Sequence, residues 1–172
     1  VTPKITLNTT GTTSVSSLMA DQFRLTANIT HSGATTADIT ANLERIDGPT
    51  GFGSLGTGMS EGSGTFTFPS TGIYLVRANA YIFRNASSSV YTGIRIKTTH
   101  DNSTYAIAAI AYGYIPDVNS AYGQVSAEYI FDVTNTTTHK VMFAVESGGG
   151  VNYGGSSTQN RTHFTFIRLG DT

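Results

Sequence analysis

The 172 residues predict an all-β chain folded as an antiparallel two-sheet jelly-roll sandwich. Three observations carry that prediction. Apolar and polar residues alternate along most of the chain, turn-forming clusters interrupt the alternation at short intervals, and no segment has the period of an amphipathic helix. Thr, Ser, Gly and Asn make up roughly 43% of the residues, a composition that can mark a flexible linker. Hydrophobic residues at 38%, with nine Phe and nine Tyr, exclude that reading and supply a core.

Residues 1–20 read as an N-terminal arm or linker, because one short apolar stretch (Ile5, Leu7) sits in a Thr-rich context without period. The chain starts at Val1, which leaves room for a leader or a longer upstream part. Residues 21–172 form the domain. Its first strand begins near Gln22, where Phe23, Leu25, Ala27 and Ile29 alternate with Arg24, Thr26 and Asn28. A short apolar patch at Asn42–Ile46 is next, then a Gly-rich surface loop from Gly48 to Gly64. Further strands are predicted over Thr65–Phe68, Ile73–Phe83, Val90–Thr98, Thr104–Tyr114, Gln124–Val133, His139–Ser147 and Thr162–Leu169. Turn residues separate them: Pro69-Ser-Thr-Gly72, Asn85-Ala-Ser-Ser, Asp101-Asn-Ser, Pro116-Asp-Val-Asn119 and Asn135-Thr-Thr-Thr. Ala106–Ala111 is Ala-rich but has no cap and is flanked by tyrosines, which makes it strand. About nine strands with no intervening helices give a sandwich.

Parity assigns the faces. Tyr74, Val76, Ala78, Ala80 and Ile82 belong to the core, with Val125, Ala127, Tyr129, Phe131 and Val133, then Val141, Phe143 and Val145, then Phe164 and Phe166. The opposite faces carry Leu75, Arg77, Asn79 and Tyr81, then Ser126, Glu128, Ile130 and Asp132, then His163, Thr165, Ile167 and Leu169. Solvent alone would favour more charge there and less Leu, Ile and Tyr, so this face is expected to be covered by another subunit.

Several chemistries are excluded. Charged residues are 12% of the chain and the net charge is −1, against the Lys and Arg excess that nucleic acid or a polybasic membrane anchor requires. No cysteine is present, so there is no disulfide, thiolate metal site or cysteine nucleophile. No apolar run reaches the ~18 residues of a membrane span, and no secretory signal pattern opens the chain. Gly51-Phe-Gly53-Ser-Leu-Gly56 spells a dinucleotide fingerprint, yet the adjoining Thr57-Gly-Met-Ser-Glu-Gly-Ser-Gly64 cannot be a helix and no acid appears between Glu61 and Asp101. The four histidines are scattered without ligand spacing, and His100-Asp101-Asn102-Ser103 reads first as a turn, so no metal and no cofactor are expected. No Gly-x-Ser-x-Gly elbow and no clear carboxylate pair occur, so no catalytic residue is assigned and the chain is not expected to be an enzyme. Six Asn-x-Ser/Thr sequons are present, a mild excess for so hydroxyl-rich a chain. The Gly148–Asn160 stretch reads as a flexible crossover, and its Asn152 and Tyr153 as a possible ligand-binding loop, because Tyr, Asn, Ser and Gly resemble a paratope.

One motif carries a family resemblance. Gly64-Thr-Phe66-Thr-Phe-Pro69-Ser-Thr-Gly72-Ile-Tyr74 fits G-x-F-x-x-P-x-x-G-x-Y, which resembles the signature of the tumour necrosis factor/complement globular-head superfamily. The resemblance covers Gln22 to Leu169 in strand order and these eleven residues in identity. The last strand departs from the pattern, with Thr165 where the family usually has Gly before the closing Phe. The resemblance implies a homotrimer, with Leu75, Arg77, Tyr81, Glu128, Ile130, His163 and Ile167 at the trimer interface, an Arg77–Glu128 ion pair, and three His163 side chains approaching one axis.

The wider phrases Asn42-Leu-Glu-Arg-Ile-Asp47, Gly56-Thr-Gly-Met-Ser60 and Phe66 to Val76 resemble jelly-roll domains of tailed-phage, especially marine-phage, fibre and decoration proteins. That resemblance implies a bacteriophage structural protein on the virion surface. It would be a capsid decoration, head-fibre or tail-fibre knob, held to virion proteins by the N-terminal arm and contacting host-surface glycans. The alternative is a secreted complement-head-like or lectin-like binding module that is not viral.

Overall fold

A computed structural model of the chain describes residues 18–85 and 89–172. The proposed arm lies almost wholly outside the described residues, as does most of the Asn85-Ala-Ser-Ser turn. Thirteen strands run in order: β1 (Met19–Leu25), β2 (Ile29–His31), β3 (Thr36–Asp38), β4 (Leu43–Arg45), β5 (Ser60–Gly62), β6 (Thr65–Thr67), β7 (Gly72–Arg84), β8 (Ser89–Thr99), β9 (Ala106–Ile115), β10 (Tyr122–Val133), β11 (Lys140–Ser147), β12 (Val151–Tyr153) and β13 (His163–Gly170). Met19 and Ala20 already belong to β1, so the domain starts slightly earlier than position 21. No helix occurs among the described residues, and hence none long and apolar enough to cross a membrane.

The strands form two antiparallel sheets. In the first, β7 pairs with β10 along one edge and with β13 and β12 along the other; β1 and β4 continue beyond β13, and β2 beyond β12. The second sheet runs β5-β6-β11-β8-β9, with β3 added beside β11. The inward faces meet in a core that contains nearly all the expected residues: Tyr74, Val76, Ala78, Ala80, Ile82, Phe131, Val141, Phe143, Val145, Phe164 and Phe166 are each at most 1% exposed. Tyr129 alone of that set is half-buried.

At the centre is an aromatic cluster. The Phe66 ring lies 5.1 Å from Phe23, 5.1 Å from Phe166 and 5.5 Å from Phe143, and Phe143 stacks on Phe164 at 4.0 Å. These edge-on and offset contacts add to the burial of large apolar area. Packing accounts for the eleven-residue motif. Phe66 and Tyr74 are core residues on opposite sheets, Phe68 packs on the Tyr74 ring at 4.6 Å, and the Tyr74 hydroxyl donates to Ser70 O at 2.9 Å. Gly72 does more than turn the corner. Its φ is +144°, and a Cβ there would sit 2.5 Å from Arg168 Nε and from Gly170 O, so the glycine lets β13 close against β7. The Thr165 departure is harmless because that side chain points away from the core, where Gln22 Nε2 donates to its hydroxyl at 2.8 Å.

Candidate functional site

The outer face of the first sheet is the main candidate. Register places Leu75 opposite Ile130 and Ile167, Arg77 opposite Glu128 and Thr165, Asn79 opposite Ser126 and His163, and Tyr81 opposite Gln124. The seven residues assigned to an interface therefore share one face of three adjacent strands. Ile130 is 55% exposed and the neighbouring Leu169 51%, while Leu75, Tyr81 and Ile167 are half-buried. Arg77 Nη2 pairs with Glu128 Oε2 at 2.8 Å across β7 and β10. Both side chains are about half exposed, so the pair contributes at most ~1 kcal/mol to the isolated subunit. Below it lies a polar layer. Asn79 Nδ2 and His163 Nε2 are 3.2 Å apart, and Arg161 O lies 3.2 Å from His163 Nδ1. An aromatic group closes the far end, with Tyr81 stacked on Tyr122 at 5.8 Å and Phe83 6.3 Å from Tyr122.

A second apolar surface, which sequence reasoning did not single out, runs along β9. Among the described residues this edge strand pairs only with β8, and Ala106–Ile115 contains no charged residue. Ile107, Ile110, Tyr112 and Tyr114 are 40–61% exposed. Edge strands of free proteins usually carry Lys, Pro or a bulge that blocks pairing. A bulge interrupts the β8–β9 register at Ile96/Lys97, but the exposed side chains remain apolar. The signal was in the sequence as an uncharged stretch that the Ala content disguised.

Tyr153 corrects the expectation of a ligand-binding loop. Its side chain is fully buried; its hydroxyl lies 2.6 Å from Glu146 O and 3.0 Å from Gly93 O, and accepts from Gly93 N at 3.3 Å. Burial pushes the phenol up to about 12. The residue bridges the two sheets and cannot touch a ligand in the folded state. Asn152, between the two buried neighbours of β12, is half-exposed and accepts from Thr30 Oγ1 at 2.7 Å. The glycines around them serve packing rather than flexibility. A Cβ on Gly154 would meet the Tyr81 ring at 2.5 Å, and one on Gly155 would meet Ala27 O at 2.2 Å.

The remaining polar groups are structural. Asp101 Oδ1 accepts from Thr99 Oγ1, Ser103 N and Thr104 N at 2.7–2.9 Å, a turn that holds its carboxyl well below the usual range. His100 Nδ1 lies 2.9 Å from His139 Nε2, and burial together with the neighbouring His100 lowers the His139 pKa. Among the described residues no three His, Asp or Glu side chains gather as metal ligands. Arg24, expected on an outward face, is wholly buried: its guanidinium donates to Glu44 Oε1 at 2.6 Å, Asp47 Oδ1 at 2.7 Å and Gly48 O at 2.8 Å, and also to Ser157 O.

The fold and these faces define an all-β jelly roll with one apolar sheet face and one apolar edge. Comparison with protein-family models finds no match, and comparison with curated proteins finds none either. Among solved structures, the crystal structure of murine APRIL at pH 5.0 superposes with a TM-score of 0.62 at 11% identity, over 88% of this chain and 99% of that one. Eiger TNF from S. frugiperda superposes with a TM-score of 0.61 at 12% identity, over 90% of this chain and 94% of that one. The fold is that of the TNF-like jelly rolls.

Proposed function

We propose that the chain is a homotrimeric TNF-like knob that acts by assembly and binding rather than by catalysis. The observation that carries the proposal is the pair of unlike apolar surfaces on one subunit: the face around Leu75, Ile130 and Ile167, and the β9 edge around Ile110, Tyr112 and Tyr114. Two different patches that bury each other make a head-to-tail contact, which must close into a ring or grow into a fibre. The family resemblance supports closure at three. In that ring Arg77 and Glu128 fix register more than they add stability, and His163 with Asn79 forms a polar layer.

The finer placement rests on the phrase resemblance to tailed-phage structural proteins. On that reading the knob stands on the virion exterior as a capsid decoration, head fibre or tail-fibre tip. Residues 1–20 tether it to virion proteins, and its loops meet host-surface glycans. A secreted binding module with the same trimeric body is the alternative, and a collagen-like stem or secretory signal encoded upstream would decide for it.

Solution mass by light scattering tests the assembly, with the full chain and with a chain lacking the first seventeen residues, which leaves β1 whole. A trimer in both supports the proposal and makes the arm a tether. A monomer in both refutes it.

A further inference from the structure

We propose that the cleft between β1, β4 and the loop at 46–54 binds a neutral saccharide ring. This deepens the binding part of the reading above and does not depend on the trimer or on a virion. The cleft has a volume of about 310 Å3, near the small end of ligand-binding clefts. Asp21 forms its floor and is 2% exposed; it accepts from Arg45 Nε at 3.0 Å, Arg45 Nη2 at 3.1 Å, Met59 N at 2.8 Å and Gln22 N at 3.0 Å. The two charges neutralise each other. A phosphate or a lone cation would find no unpaired countercharge in the cleft, so the lining favours a ligand without charge.

The walls supply what a ring of hydroxyls needs. Gln22, Thr50, Ser54 and Asn160 line the cleft, a set of amides and hydroxyls that both donate and accept. The Thr50 and Ser54 hydroxyls have no hydrogen-bond partner among the described residues. Asn160 Nδ2 reaches Gln22 Oε1 only at 3.4 Å, a weak contact that a ligand could replace. Phe52, at 55% exposure and with no ring contact among the described residues, offers an apolar platform at the rim for the C–H face of a pyranose. The loop wall is bare backbone at Gly48 and Gly53, where a Cβ would meet nothing within 4 Å. β1 itself offers no edge for strand addition, because it is flanked by β4 and β13 and the loop bonds to Ala20 through Leu55.

The test is saturation-transfer NMR on the full chain with methyl glycosides of glucose, galactose, mannose and N-acetylglucosamine, followed by titration of any that respond. At least one should bind, with a dissociation constant on the order of millimolar. Phe52→Ala and Asn160→Ala should each weaken binding about tenfold or more, Phe52→Trp should preserve it, and Val118→Ala, at an exposed position outside the cleft, should leave it unchanged. Both weakening substitutions fall on exposed side chains, and far-UV circular dichroism checks that the fold survives. Silence from all four glycosides, or binding that persists in Phe52→Ala and Asn160→Ala, overturns the proposal. Light scattering on the same samples separates the two readings: a trimer that binds no sugar refutes the cleft alone, and a monomer that binds sugar refutes the assembly alone.

Discussion

Replacing Tyr153 with Phe removes one oxygen from a fully buried position that joins the two sheets. The hydroxyl contacts Gly93 O, Glu146 O and Gly93 N, and no water can take its place in so closed a site. Leaving buried backbone groups without that partner costs about 1–3 kcal/mol. For a domain of this length the melting temperature should fall by roughly 2 to 12 °C. The pH dependence sharpens the prediction. The phenol titrates at about 12 in the folded chain against 10.0 ordinarily. Between those values the folded state keeps a proton that the unfolded state has lost. The stability is therefore complete below pH 10 and is lost as pH rises toward 12, with a ceiling of about 1.4 kcal/mol per pH unit. The wild-type advantage over Tyr153→Phe should hold at neutral pH and shrink above pH 10. Urea unfolding followed by far-UV circular dichroism measures both quantities. Equal midpoints at neutral pH would refute the reasoning and return Tyr153 to the protein surface.

Phe66→Ala should cost about 3–5 kcal/mol in the same urea experiment, since the ring sits among Phe23, Phe143, Phe164 and Phe166 and nothing nearby can fill its space. Ile130→Lys, on the exposed face, should leave subunit secondary structure intact and convert the proposed trimer to monomer in light scattering; a trimer that persists in the variant would remove that face from the interface. His139 contacts His100, Thr134 and Thr138, with Asp132 nearby as the opposing charge. Its lowered pKa means that its contribution to stability is whole above about pH 6.5 and declines as pH falls through the folded value. That acid-side slope should flatten in His139→Gln, and an unchanged slope would assign it to other groups. Arg24→Met should destabilise by about 1–3 kcal/mol, because the Gly48 and Ser157 carbonyls lose their donor while Glu44 and Asp47, 30% and 76% exposed, stay in reach of water; a change under about 1 kcal/mol would mean that the network contributes only at the surface.

The range of each interaction decides whether the sequence makes it legible. Parity is local, so the runs from Tyr74 to Ile82 and from Val125 to Val133 declared both their core side and their outer side, and Arg77 could be placed with Glu128 once the strand order was known. The short strands β2, β3, β5 and β12 span only three residues each, too few to show alternation; they exist because β12, β11, β6 and β7 respectively offer them edges. The Gly-rich stretch after Ser147 resembled a mobile loop because composition cannot register a neighbour such as Ala27, more than 120 positions earlier, whose carbonyl leaves no room for a Cβ on Gly155. Arg24 shows the same limit from the other side. Alternation correctly turned it away from the core, but the loop residues Asp47, Gly48 and Ser157 fold over it and make a surface position an interior one. In β9 two local signals competed, and the tyrosines flanking the alanines rightly read it as strand. Its alanines suggested helix by propensity, yet Ala109, Ala111 and Gly113 are small because the two edge strands meet there, and a Cβ on Gly113 would strike Val125 at 2.7 Å. Small residues toward the core and large apolar ones outward are what a strand needs when its flank is to be covered by a second subunit. The small side chains of β9 are thus accounted for by packing within one subunit, and its large outward ones fit the subunit contact proposed above.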